Sequence, residues 1–190
     1  MLRRILLAGP MLIGLMLAAF SAQASMLERL SFDDLSSRAD KIFRGRVIDV
    51  EQGTKAVGGG EIPIVTYRIR VAEMLKGSAD LEKDGRQVME ITMAGSIKNE
   101  AANDGLMHFS IFRDVPKFER GREYVLFMTP RSSAGLSTPV GLGQGAFDIL
   151  TTAKEDMAVN QFNNIGLGVS EGEPMSYESM REAVEESAGE

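Results

Sequence analysis

The sequence of 190 residues predicts a mainly β protein that forms a small barrel or sandwich. Roughly five to seven short strand-like segments follow one another, separated by glycine-bearing loops, and a helix is predicted near each end. Long helices that alternate with strands are absent, which argues against a doubly wound α/β sheet. The length favours one domain rather than several.

The first predicted element is a short helix over residues 31–37. Ser31 can accept a hydrogen bond from the backbone as N-cap, and Asp34 stands three residues later, where it can close a capping box. Leu30 and Leu35 have the spacing of a hydrophobic staple. The sequence therefore fixes where this helix begins.

The first two strands are predicted at residues 41–51 and 65–75. The first contains Gly45, and a glycine inside a strand indicates a bulge or a close backbone approach. The second shows strict alternation of apolar and polar residues from Val65 to Val71. Between them, residues 52–61 include three consecutive glycines, and we expect a flexible connection there.

The remaining elements are less sharply marked, and the last helix is the clearest of them. Further strands are predicted, in chain order, at residues 88–94, 107–112, 123–129, 140–150 and 157–162, with a polar loop at 78–86 and loops or turns at 95–105, 116–121 and 130–137. Ser176 is the predicted N-cap of a C-terminal helix, with Met175 and Met180 as its staple. We expect a domain over residues 25–175, followed by a C-terminal helix and acidic tail at 176–190.

The first 24 residues have the pattern of a secretory signal peptide. Two arginines precede an apolar run at residues 5–20, which is shorter than a membrane span. Ala22 and Ala24 supply the small residues that signal peptidase requires, and cleavage is predicted before Ser25. We therefore expect segment 1–24 to be removed, the mature protein to be periplasmic or secreted, and no stable membrane insertion after cleavage.

Composition excludes several kinds of site. The chain has no cysteine, no tryptophan and one histidine, which excludes disulfide scaffolds, thiol catalysis and multi-histidine zinc sites. Its formal net charge of −6 argues against nucleic acid as a partner, because such binding depends on neutralising phosphates.

A hydrolase would have to use His108. Asp104 or Asp114 would orient the ring, and Ser110 or Ser96 would be the nucleophile. No Gly-x-Ser-x-Gly elbow supports this arrangement. A surface or half-buried strand position is the favoured interpretation of His108.

Carboxylate pairs offer a second catalytic hypothesis. Glu119 with Glu123, or Glu73 with Glu90, could serve as general acid and base. No tryptophan is present to form an aromatic platform for a sugar, and a solvated charged surface is the favoured interpretation.

No metal or cofactor site is predicted. An oxygen-rich loop could hold calcium, but it lacks EF-hand spacing; its members are Asn99, Glu100, Asn103, Asp104 and Gly105. Met89 and Met93 could suggest Cu(I), but they share one strand face with Ile91 and are expected to fill the core.

Four arginines form the candidate binding site. Arg68 and Arg70 lie on the strand face opposite Tyr67, and Arg44 and Arg46 would join them if strands 41–51 and 65–75 pair as a hairpin. OB-type barrels often bind ligands on such a face, so this one could meet an acidic partner. The alternative, which we favour, is that neighbouring acids neutralise it.

Several segments together resemble a known family. They are Ala39-Asp40-Lys41-Ile42 with Gly45 and Val47, Tyr67 to Val71 with Glu73 and Leu75-Lys76-Gly77, Phe118 and Gly121 with Tyr124 to Phe127, and Gly143 to Phe147. In that order they resemble exported bacterial proteins whose barrel is similar to the netrin and tissue-inhibitor-of-metalloproteinase module. The resemblance covers roughly residues 36–150 and implies a small OB-like β-barrel, closed or partly open, with a short N-terminal helix and a C-terminal helix. The tissue inhibitors bind protease zinc through an N-terminal cysteine, whereas this chain would begin at Ser25.

These observations predict an exported, non-enzymatic binding module. Its expected partner is another exported protein, with a peptidase as one class of partner that the resemblance implies. The alternatives are a periplasmic hydrolase that uses carboxylates or His108, and a carrier of a small ligand or metal.

Overall fold

The computed structural model describes residues 28–188 except 80, 84, 97–114 and 171. The described part of the chain is mainly β, with eight strands and two α-helices. In chain order the elements are α1 (Phe32–Arg38), β1 (Lys41–Val57), β2 (Gly60–Lys76), β3 (Leu81–Lys83), β4 (Arg86–Ala94), β5 (Glu123–Met128), a 3-10 helix (Leu142–Gly145), β6 (Ala146–Thr151), β7 (Asp156–Asn160), β8 (Met175–Ser176) and α2 (Tyr177–Ala188).

All the described strands belong to one antiparallel sheet in the order β3-β4-β2-β1-β5-β6-β7-β8. The two outermost strands have three and two residues, and such short edges limit pairing with other chains. Strand pairing does not close this sheet into a barrel within the described residues. A mainly β fold with a helix at each end is therefore shown.

The hairpin of β1 and β2 corrects the expectation of a flexible connection at residues 52–61. The two strands remain paired from Ile42–Lys76 to Val57–Gly60. Only Gly58 and Gly59 turn the chain, and both have positive φ, 61° and 84°. A two-residue loop of this conformation matches the twist of paired strands, so the glycines form a tight turn instead of a flexible loop.

The other predicted elements have mixed outcomes. The strands at 88–94 and 123–129 and both helices are confirmed, and Ser31 and Asp34 form the predicted capping box. The loop predicted at 78–86 contains the short strand β3. The segment predicted as one or two strands at 140–150 is a 3-10 helix followed by β6. The strand predicted at 107–112 lies outside the described residues.

Two apolar clusters lie on opposite faces of the curved sheet. On one face, α1 and α2 pack against residues of β1, β5, β6 and β7, and Leu35, Ile42, Phe127, Phe147 and Met180 are fully buried there. The other face is lined by alternate residues of β4, β2, β1 and β5, among them Phe43, Tyr67, Ile69, Met93 and Leu126. The alternation of each strand divides its residues between these clusters.

Residues 129–139 follow β5 and run to β4, and we call them the crossing segment. Thr129 and Thr138 hydrogen bond to each other, and Met128 forms an isolated bridge with Pro139. The Ser137 amide then donates to the Thr92 carbonyl on the outer side of β4, at 3.0 Å. This segment therefore links β5 to β4, and a cavity lies between them.

No helix in the part of the chain that the structure describes is long and apolar enough to cross a membrane.

Candidate functional site

The four predicted arginines do lie on one face of the sheet. Strands β1 and β2 form the hairpin that this grouping requires, and Arg46 lies directly opposite Arg70. Opposite residues of an antiparallel pair project from the same face. Arg44 and Arg46 reach the same carboxylate, that of Glu123.

Arg44 is the most enclosed of the four, with its side chain 17% exposed. It donates from Nε to Glu123 at 2.5 Å and from Nη2 to Asp156 at 2.6 Å, and its guanidinium lies 4.4 Å from the ring centre of Tyr177. Burial alone would lower the pKa of Arg44, but the hydrogen bonds to Glu123 and Asp156 outweigh it and raise the pKa. The arginine is therefore a fixed cation that joins β1 to β5, β7 and α2.

The acidic side chains and the tyrosine hydroxyl around Arg44 also have hydrogen-bond partners of their own. The Thr151 hydroxyl donates to Asp156 at 2.8 Å, and this bond, followed by that from Arg44, lowers the pKa of Asp156. The Tyr177 hydroxyl donates to Glu73 at 2.6 Å, and burial, followed by this carboxylate, raises the pKa of Tyr177. The cluster therefore stabilises the packing of α2 on the sheet.

The other arginines differ in their partners. Arg68 lies within 3.4 Å of Asp49, Glu51 and Glu90, and the hydrogen bond that it donates to Glu90 is the main cause of its raised pKa. Arg70 is exposed and has no partner among the described residues. Because acids surround three of the four arginines, this face carries no surplus of positive charge. The geometry favours the neutralised interpretation over a site for an acidic partner.

The cavity between β4 and the segment after β5 is the better candidate site. Its volume is about 170 Å³. The floor is apolar and consists of buried side chains from three strands: Phe43, Met89, Ile91 and Met128. The rim is polar and carries both signs of charge: Asp40, Lys41, Glu90 and Arg131, with Thr129 and Ser137.

Local hydrogen bonds hold the rim in place. An Arg131 guanidinium nitrogen donates to the Glu90 carbonyl at 2.7 Å, and the Ser137 hydroxyl donates to the Thr129 carbonyl at 2.8 Å. These bonds fix the crossing segment against β4. The opening of the cavity is therefore part of the folded structure. Met89 and Ile91 are buried, as strand periodicity predicts, but no sequence pattern indicates the cavity, because the cavity depends on where residues 129–139 run.

The predicted carboxylate pairs are held by cations or by a phenol. Glu123 binds Arg44 and Arg46, and Glu90 binds Arg68. Glu73 accepts from Tyr177, and Glu119 lies 3.7 Å from Arg122. Each of these carboxylates is therefore paired with another side chain, and three of the four have that partner on a different strand or helix.

Several other predicted residues lie outside the described part. They are His108 with Asp104, Asp114 and Ser110, the oxygen-rich loop at 99–105, and the leader with its cleavage residues Ala22, Ala24 and Ser25. Within residues 28–188, apart from those gaps, no group of three histidine, cysteine or acidic residues is placed to hold a metal ion.

The observed class is thus a mainly β protein with one curved antiparallel sheet, two packed helices and an apolar cavity between β4 and the crossing segment. No family model matches the sequence, and no curated protein matches it significantly.

Proposed function

We propose that this chain is an exported, non-catalytic binding protein that takes an apolar side chain of another exported protein into the cavity between β4 and the segment after β5. The observation that carries this proposal is the apolar floor enclosed by a polar, hydrogen-bonded rim. Binding sites are typically concave and mostly apolar, with a few placed polar groups.

Size and chemistry define what the cavity accepts. At about 170 Å³ it is comparable to the roughly 150 Å³ engineered cavity that holds benzene in another protein. One leucine, methionine or phenylalanine side chain fits such a volume. Met89 and Met128 on the floor are flexible and polarizable, so they can adapt to an aliphatic or an aromatic occupant.

The rim suits the backbone of a partner. Asp40 is exposed and can accept hydrogen bonds from the backbone of a partner. Charges of both signs favour a polar peptide surrounding an apolar anchor, which is the usual arrangement of a protein–protein hot spot.

Export and an OB-type barrel are parts of the same proposal. The signal-peptide pattern of residues 1–24 supports a periplasmic or secreted location. The described chain is anchored soon after Ser25, since the Leu30 amide donates to Gln144 and the Gln144 amide donates to the Glu28 carbonyl. The Ser137–Thr92 hydrogen bond supports a partly open barrel that the crossing segment completes. The similarity to the netrin and tissue-inhibitor module adds a peptidase as one class of partner.

A photo-crosslinking experiment tests this function. A photoreactive phenylalanine analogue replaces Asp40 at the rim, and in a matched variant it replaces Glu182, an exposed acid on α2. Mature protein, residues 25–190, is irradiated with the exported fraction of its own host. We expect one recurrent protein adduct from position 40 and none from position 182; no adduct, or the same adducts from both positions, contradicts the proposal.

The arginine face provides a second arm of this experiment. Arg70→Glu reverses an exposed charge that has no partner among the described residues, so the fold is expected to tolerate it. Capture through position 40 should be unchanged. A loss of capture would assign binding to the arginine face instead of the cavity.

A small-ligand carrier is the second candidate, because the same cavity would hold a benzene-sized apolar group. Native mass spectrometry of protein purified from its host distinguishes the two. A recurrent added mass of a small molecule would favour the carrier, and an unmodified mass would favour the protein partner.

A further inference from the structure

The floor of the cavity consists mostly of side chains that interact favourably with an aromatic ring. Phe43, Met89 and Met128 are three of its four apolar members, and Ile91 is the fourth. Strands β1, β4 and β5 bring them together in one buried cluster. A thioether is stabilised by contact with an aromatic ring, and so are two rings that meet edge to face, beyond the effect of burial alone. An aliphatic occupant gains neither contribution.

We infer that the cavity binds a phenylalanine side chain of the partner protein, flanked in the partner by basic residues. This inference rests on the proposed function and specifies which segment of the partner the cavity recognises. A volume of about 170 Å³ suits a phenyl ring, because a cavity of roughly 150 Å³ in another protein holds benzene.

The hydroxyl groups of the rim favour phenylalanine over tyrosine. The Ser137 hydroxyl donates to the Thr129 carbonyl, and the Thr129 hydroxyl donates to the Thr138 carbonyl and accepts from the Thr138 amide. The floor itself carries no strong hydrogen-bond acceptor. Because burying a hydroxyl group without a partner is unfavourable, tyrosine should bind more weakly than phenylalanine.

The free charge at the rim is negative, and it defines the residues beside the phenylalanine. Asp40 is exposed, and no ion pair or side-chain hydrogen bond engages it in the part of the chain that the structure describes. The other charged groups of the rim have partners: Glu90 pairs with Arg68, Arg131 donates to a carbonyl of β4, and Lys41 is also engaged. A positive charge next to the phenylalanine therefore complements the rim.

Capped tripeptides test these features with mature protein, residues 25–190. The reference peptide is Arg-Phe-Arg. Two comparison peptides replace its central residue by cyclohexylalanine or tyrosine, and a third is Glu-Phe-Glu. Binding is followed through the methyl signal of Ile91 on the floor, and Ile42, fully buried in the cluster on the opposite face, is the reference signal. A saturated ring is at least as apolar as a phenyl ring, so burial alone predicts no preference for phenylalanine.

We expect Arg-Phe-Arg to shift the Ile91 signal and to bind at least about threefold more tightly than each comparison peptide. Met89→Leu and Met128→Leu remove the sulfur atoms with little change in volume, so each should reduce the preference for the phenyl ring over the saturated ring. Met93→Leu is the matched control and should keep that preference, because Met93 is buried on β4 but does not line the cavity. Asp40→Asn should reduce the preference for basic flanks.

Failure of this inference differs from failure of the proposed function. If a comparison peptide binds as tightly as Arg-Phe-Arg, the inference is overturned, whereas the cavity still accepts a side chain. If none of the peptides shifts the Ile91 signal, the inference and the proposed function are both contradicted.

Discussion

At the scale of single residues, the charged side chains of this protein mainly bind one another. Arg44 joins Glu123 and Asp156, which lie 79 and 112 positions further along the chain. Acids outnumber bases in the sequence, 27 to 21, so an arginine on the sheet finds carboxylates nearby. The half-buried Arg44 pairs tie three strands and α2 together, whereas the exposed Arg68 contacts are expected to contribute little to stability.

Asp156→Asn should destabilise the protein in a pH-dependent way. The Thr151 hydroxyl and Arg44 lower the pKa of Asp156, so its stabilisation is fully present above the usual aspartate pKa and is lost as pH falls through the lowered native value. We expect a loss of about 1–2 kcal/mol at neutral pH, with the two proteins converging in strong acid. Urea denaturation at pH 7 and pH 3 measures this difference. Glu155→Gln, an exposed neighbouring acid, is the control and should show no such trend.

Asn164→Asp should be strongly destabilising. Asn164 is fully buried, and its side-chain amide donates to the Ala158 and Glu173 carbonyls at 3.0 and 2.9 Å. A carboxylate there faces two acceptors without a proton to share, and we expect a loss of about 2–4 kcal/mol. Thermal and urea unfolding test this prediction.

The control for that substitution is Asn163→Gly. Asn163 is exposed and has positive φ, 52°, a conformation that glycine adopts without strain. Its stability should stay within about 0.5 kcal/mol of wild type. If the two variants lost the same free energy of unfolding, the side-chain hydrogen bonds of Asn164 would not be the cause.

Single-residue features were predictable where they are local. The Ser31–Asp34 capping box can be predicted because its partners stand three residues apart. The Ser176 cap of α2 can be predicted for the same reason. The partners of Arg44 could not be predicted, since the register of β1 with β5 and the path of β7 decide them. The buried amides of Asn160 and Asn164 carry no local signal either.

At the scale of elements, the β1–β2 hairpin dominates the molecule. Its strands have 17 residues each, and β1 contributes Phe43 to the floor of the cavity. The flexible connection predicted at 52–61 is wrong, because Thr54, Val57, Ile62 and Ile64 beside the three glycines favour strand. Strand periodicity located β2, β4 and β5, where apolar and buried residues are dense.

Gly45→Ala should disrupt the hairpin. A Cβ at Gly45 would lie 2.6 Å from the Ile69 side chain and 2.7 Å from the Arg70 carbonyl oxygen, so the two strands would have to move apart. We expect a loss of about 1–3 kcal/mol, measured by urea unfolding. Gly60→Ala is the matched control, because a Cβ there meets nothing within 4 Å. If the two substitutions lower the free energy of unfolding equally, the close approach of the strands at Gly45 is not the cause.

At the scale of the whole molecule, the segment after β5 bonds to β4 although β1 and β2 lie between these two strands in the sheet. The strand content and the terminal helices followed from periodicity and loop composition. The link between β5 and β4 could not be predicted, because residues 129–139 form no regular strand and reach β4 through the Ser137–Thr92 backbone bond and the Arg131–Glu90 contact. The cavity lies between β4 and this segment, and the proposed binding function depends on it.

The most direct test of the central claim uses the methionine methyl groups as reporters. Met89 and Met128 line the cavity, whereas Met180 of α2 is fully buried in the apolar cluster on the opposite face of the sheet. Mature protein labelled at the methionine methyls is titrated with the partner captured by crosslinking, and the methyl spectra are compared. The account predicts that the Met89 and Met128 signals shift on binding while the Met180 signal does not. Binding that leaves Met89 and Met128 unchanged would contradict it.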